Sequence, residues 1–160
     1  MNKKIMYIIT ILSTAVLLFL DQIAKYLAVL HLKGQAAIPI IKNVFELQYL
    51  ENQGAAFGIM QGKKTFFVIG TLIFLVIVGI LYHNIPLTKR FTPIRIVAVL
   101  IVAGAIGNMI DRVVHQYVID FFYFKLINFP IFNVADIYVV VACILFILLM
   151  LFYYKEAELG

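Results

Sequence analysis

Of the eight acidic residues in this 160-residue chain, six (Asp21, Glu46, Glu51, Asp111, Asp120 and Asp136) fall in or beside one boundary of its hydrophobic segments. Asp120 follows Val118 and Ile119 at the start of a connection whose far end is Asp136. Two carboxylates facing each other beside an apolar medium cannot both ionise cheaply, so one keeps a proton while the other is charged. Such a pair can activate a water against a peptide carbonyl and protonate the leaving nitrogen. The residues that other chemistries need are scattered. His31, His83 and His115 lie in unrelated segments with no HExxH spacing, so no metal site is expected. Ser13, the only serine, lies inside an apolar run, which is poor ground for a Ser/His nucleophile. Cys143 is the only cysteine, so neither an internal disulfide nor a Cys-based metal site can form, and packing is its expected role.

The elements that must position these acids are membrane spans. Hydrophobic residues make up 64% of the chain and charged residues 13%, more apolar surface than a soluble core can hide. Charge-free runs cover 5–20, 65–88, 96–110 and 137–154. A span needs roughly 17 to 25 residues, so the first and third runs must extend through Asp21 and Asp111 to cross. The expectation is an all-α integral membrane protein: a four-transmembrane-helix bundle with a small extracytoplasmic β-containing segment. One polytopic domain fills 1–160, with helices near 5–25, 64–84, 95–113 and 135–155 and outer segments 26–63 and 114–134.

Alternating spans put the ends of the first and third helices, and the starts of the second and fourth, on one side, so Asp21, Asp111 and Asp136 share a rim. Lys3, Lys4, Lys89, Arg90, Arg95 and Lys155 crowd into short segments on the other side, against seven basic residues spread over longer connections. Short basic loops stay in the cytoplasm, which predicts both termini inside and the acidic rim near the outer face. The start, MNKK before an apolar run, imitates a signal peptide, but DQIAK follows without a small-residue cleavage pattern, so an uncleaved anchor is expected. No basic patch with interleaved aromatics points to nucleic acid.

Three further patterns bear on the rim. Phe45, Leu47 and Tyr49 alternate with Glu46 and Gln48, the period of a strand with one wet face. This leads into Asn52, Gln53, Gly54, Ala55, Ala56, Phe57 and Gly58, whose small residues suit either a packed turn or close backbone approach. Gly104, Gly107, Asn108 and Asp111 recur along one helical face, the glycines admitting a neighbour toward which Asn108 and Asp111 are polar. Small residues and Asn also glue membrane helices structurally, yet glue does not require a carboxylate, and Asp at membrane depth is a functional candidate. Arg112, adjacent to Asp111, points elsewhere. Asp21 and Lys25 permit an ion pair on one face, bracing the rim. Pro130 ends an extended stretch, Asn133 can cap the incoming helix, and Asp136 then falls in its first turn, where the helix dipole also favours it.

Taken in order, DQIAK at 21–25, NQGAAFG at 52–58, AGAIGNMIDR at 103–112, VIDF at 118–121 and FNVAD at 132–136 resemble the lipoprotein signal peptidase family, also called signal peptidase II and classed as aspartic peptidase family A8. The resemblance implies an aspartic endopeptidase of the bacterial cytoplasmic (inner) membrane. Such an enzyme removes the signal peptide from diacylglyceryl-modified prolipoproteins by cutting before the lipidated cysteine, without a cofactor or metal. By motif, it implies Asp120 and Asp136 as catalytic, with Asp21, Lys25, Asn52, Gly54, Asn108, Asp111, Arg112, Asn133 and Ala135 binding substrate or supporting the site. Membrane lipid and globomycin-type inhibitors are the other partners implied, and nucleic acid is not. Departures are small: Ala24 where Thr is usual, Ala103 for Gly, Ile119 for Val, and a short connection from Asp120 to Asp136. Two readings from other classes compete: a small proton-coupled transporter, which calls for ionisable groups through the depth of the spans, and a noncatalytic scaffold, which gives no reason for Asp120 and Asp136 together.

Overall fold

The computed structural model describes residues 2–54 and 62–155. Ala55, Ala56, Phe57 and Gly58 of the small-residue stretch, and the distal acids Glu156 and Glu158, lie outside the described residues.

Among the described residues, four helices are long and apolar enough to cross a membrane. Helix α1 is Lys3–Leu32, α2 is Lys64–Asn84, α3 is Thr92–His115 and α4 is Val134–Leu148, the last continued by a π-helical turn over Leu149–Tyr153. Their outward sides carry large exposed apolar residues such as Ile11, Phe19, Val76, Ile80 and Ile144. In water that surface would be unfavourable, whereas against acyl chains it is the ordinary face of a span.

Helix α1 is about 45 Å long at 1.5 Å per residue, well beyond a hydrocarbon core of about 30 Å. It outruns the expected end at 25 because its last turns have a second task. Ala28 and Leu32 pack with Ile119 and Phe121 in a buried cluster that seats a small sheet on the end of the helix. Of the strands, β1 is Ile38–Ile41, β2 is Phe45–Asn52 and β3 is Val118–Phe124, all antiparallel in the order β1-β2-β3. The turn from β1 to β2 places Asn43 at φ 61°, a left-handed conformation that Asn tolerates better than most residues.

The alternating pattern from Phe45 found β2, but β1 and β3 went unread. Asp120 was expected in a loop and instead lies in β3, within a run of β-branched and aromatic residues (VIDFFYF) that is itself a strand signature.

Helix α3 is the hub, packed against α1, α2 and α4. Its small residues explain how. A Cβ at Gly104 would fall 2.5 Å from the Ala135 carbonyl oxygen and 2.6 Å from Val139, and one at Gly107 would fall 2.6 Å from Asp21 Oδ2. The small face was expected to meet one neighbour. It lies instead in the seam between two, α1 and α4, because three helices converge there.

Candidate active site

The site is built outward from Lys25, which is buried one turn beyond Asp21 on α1. Its Nζ lies 3.0 Å from Asp21 Oδ2, 3.0 Å from Asp111 Oδ2 and 3.0 Å from Asn108 Oδ1. An ammonium has three protons to donate, and these acceptors take all three. Gln22, which the sequence reading passed over, adds a second tie by donating to Asp21 Oδ2 and Asp111 Oδ1, both at 3.1 Å. Nothing in its local pattern marks it, since one of its partners comes from another helix.

Each of the two acids then reaches a backbone N–H. Asp21 Oδ1 accepts from Ala135 N at 2.9 Å, and Asp111 Oδ2 accepts from Ile119 N at 3.1 Å. Ala135 immediately precedes Asp136, and Ile119 immediately precedes Asp120. A single buried cation thus fixes, through two carboxylates, the entry of both chain segments that carry the candidate catalytic acids. Burial makes this centre stiff, because none of its three charged groups can relax into water.

Asparagine amides aim the acids themselves. Asn133 is the N-cap of α4: its Oδ1 accepts from Asp136 N at 3.0 Å while Asp136 Oδ2 accepts from Asn133 N at 3.0 Å, a reciprocal capping box. The Asn133 Nδ2 group donates to Asp120 Oδ1 at 2.6 Å and to Asn108 Oδ1 at 3.0 Å. Asn108 Nδ2 donates to Asp136 Oδ1 at 2.8 Å, and Asn52 Nδ2 to Asp120 Oδ2 at 2.9 Å. Strand pairing makes the last bond possible. Leu50 lies opposite Asp120 and Asn52 opposite Val118, so Asn52 and Asp120 are diagonal neighbours on one face of the sheet.

On the other edge of β3, Phe132 pairs with Phe122, which brings Asn133 alongside.

Asp120 is buried, and its carboxyl is pushed up to about 7, first by loss of water and next by the negative charge of Asp136. The Asn52 and Asn133 amides and the Lys25 charge pull the other way, since each favours the anion.

Both acids line one cavity of 560 Å³. Its polar end holds Asn52, Asn108 and Arg112, and its far wall descends α4 through Ile137, Val140 and Val141. Arg112 points away from Asp111, as expected, and donates to the Asn108 carbonyl at 3.2 Å and the Gly54 carbonyl at 3.1 Å, its guanidinium 4.7 Å from the Phe67 ring centre. Gly54 N donates to Asn52 Oδ1 at 3.0 Å, closing a short turn. The eleven residues singled out from sequence therefore meet in one contiguous region. His83, His115 and Cys143 do not join it: His83 bonds Tyr7, His115 stacks on Tyr117, and Cys143 is exposed on α4.

A family model described as Signal peptidase (SPase) II matches residues 13–152. The lipoprotein signal peptidase of Clostridium novyi (strain NT) is 44% identical over 139 residues, 84% of this chain and 91% of that protein. That of Caldanaerobacter subterraneus subsp. tengcongensis is 45% identical over 145 residues, 89% of this chain and 95% of that protein. A bacterial membrane enzyme structure obtained by the in meso method at 2.3 Å resolution superposes with a TM-score of 0.80 at 34% identity, covering 92% of each chain.

Proposed function

The chain belongs to the signal peptidase II family, and from that premise we propose that Asp120 and Asp136 are its catalytic pair, cutting prolipoproteins immediately before a diacylglyceryl-modified cysteine. The protein is a multi-pass membrane aspartic endopeptidase that removes signal peptides from prolipoproteins.

The observation that carries the assignment is the shared cavity: two carboxylates from different elements open into it, each held by asparagine amides. The pair holds one proton. Its ionised member takes a proton from a water while the water oxygen attacks the scissile carbonyl carbon, and the protonated member hydrogen-bonds the carbonyl oxygen as charge develops there. The tetrahedral intermediate collapses as a carboxyl gives its proton to the leaving nitrogen. The products are the signal peptide with a new carboxylate and the lipidated cysteine with a free amine. Three asparagines suit this task, because a neutral amide orients a carboxylate without holding it permanently ionised as an adjacent cation would.

The apolar wall along α4 supports lateral entry of the signal helix from the bilayer, with its acyl chains left in the lipid. Lys3, Lys4, Lys89, Arg90, Arg95 and Lys155 support cytoplasmic termini and a site near the outer face. A globomycin-type inhibitor would compete for the same cavity.

The test is cleavage of a lipidated precursor by the purified protein, compared with Asp120→Asn and Asp136→Asn. Each substitution is expected to lower turnover at least about 100-fold, the scale of lost general acid or base catalysis. Parental turnover by either folded variant would refute the pair.

A further inference from the structure

A second cavity, of 550 Å³, opens beside the first and shares Asn52, Phe129, Pro130 and Ile131 with it. Asn52 therefore holds Asp120 and also stands at the boundary between the two spaces.

Their walls differ in chemistry. The catalytic cavity descends a membrane-spanning helix through Val140 and Val141. The second lies wholly outside the spans and is bordered by Gln48, Glu51, Gln53, Tyr123 and Asn128. Some of these polar groups are already committed: Glu51 accepts from Lys33 at 2.7 Å and from Tyr49 at 3.0 Å, and Tyr123 donates to Asn128 at 2.7 Å. The side-chain amides of Gln48 and Gln53 make no hydrogen bond to another described residue.

A prolipoprotein cut at Asp120 and Asp136 has halves that belong in different solvents. The signal helix and acyl chains belong to the bilayer, while the polypeptide after the cysteine must leave toward water. We propose that the second cavity binds the first few residues following the lipidated cysteine, with Gln48 and Gln53 hydrogen-bonding their main chain. An amide both donates and accepts, matching the alternating N–H and C=O of an extended strand. With Glu51 paired to Lys33, the cavity presents no unpaired charge among the described residues, so recognition depends on the presence of a chain more than on its sequence.

The proposal rests on the peptidase reading above, and paired substrates separate the two. One lipidated precursor ends in an amide directly after the modified cysteine, and the other continues for about four residues, an extended reach of roughly 14 Å. For the parent enzyme, the extension is expected to raise kcat/KM about tenfold, mainly through KM, the worth of one or two hydrogen bonds. In Gln48→Ala/Gln53→Ala, the ratio of extended to truncated substrate should fall to about one. Because the ratio compares two substrates on one preparation, partial misfolding cancels. Equal efficiency on both substrates in the parent, or an unchanged ratio in the double variant, overturns the proposal. No cleavage of either substrate by the parent overturns the peptidase reading and this proposal with it.

Discussion

Replacing Asn52 by Ala should move the alkaline limb of the pH–rate profile upward. The Asn52 amide donates to Asp120 at 2.9 Å, and a donor on a carboxylate favours the anion, so this bond holds the Asp120 carboxyl lower than burial and Asp136 alone would put it. Removing the donor therefore raises it. A hydrogen bond to a charged group is worth about 1.5–3 kcal/mol, of which we assign about 1.4 kcal/mol to the difference between ionised and protonated forms. At 1.36 kcal/mol per unit, that is about one pH unit. In the parent, the proton that the pair must keep is lost near the raised Asp120 value of about 7, so activity falls above that pH. In Asn52→Ala the fall should come near pH ~8. The measurement is kcat/KM against pH for a lipidated precursor, which reports the acid of the free enzyme. Limb position is the informative quantity. Its height will also drop, because Asn52 Oδ1 accepts from Gly54 N at 3.0 Å and that turn is lost with the side chain. A limb that stays in place or moves to lower pH would refute the assignment of Asp120 as the titrating acid under Asn52 control.

Two further outcomes follow from the packing. Lys25→Met removes the cation between two carboxylates that are essentially inaccessible to solvent, and breaking a buried pair from one side costs about 3–5 kcal/mol. Thermal unfolding in detergent should show the loss, and a variant as stable as the parent would mean the three charges are not coupled. Gly104→Ala drives a methyl against the Ala135 carbonyl at 2.5 Å, so α4 must shift at a cost of about 1–3 kcal/mol. Its melting temperature should fall and turnover with it, since Ala135 adjoins Asp136, while Gly70→Ala, where a methyl meets open space, should match the parent in both.

Much of this was legible in the sequence because it follows from one-dimensional rules. Span length forced Asp21 and Asp111 into helices α1 and α3, although α1 continues to Leu32 beyond Asp21, and alternation of spans forced Asp136 onto the same rim. The i,i+4 spacing made the Asp21–Lys25 pair, and Asn133 three residues before Asp136 made the capping box. Such contacts form within a single turn, so composition and spacing carry them. The placement of Asp120 needed more. VIDFFYF carries a strand signature, but the register that sets Asp120 beside Asn52 comes only from pairing with β2, some 70 residues earlier, and with Phe132. Gln22 remained invisible for the same reason.

Residue types and order determined that this chain spans a membrane, gathers its acids at one boundary and matches a family of peptidases. Tertiary structure decided how the acids are held: Lys25 bridges Asp21 and Asp111 while these anchor the N–H groups next to Asp136 and Asp120. No local rule specifies that link, because it joins α1, α3, β3 and α4 through hydrogen bonds that exist only once the helices have packed. The raised acid of Asp120 has the same origin, since burial and the nearness of Asp136 are properties of the folded bundle and of no segment within it.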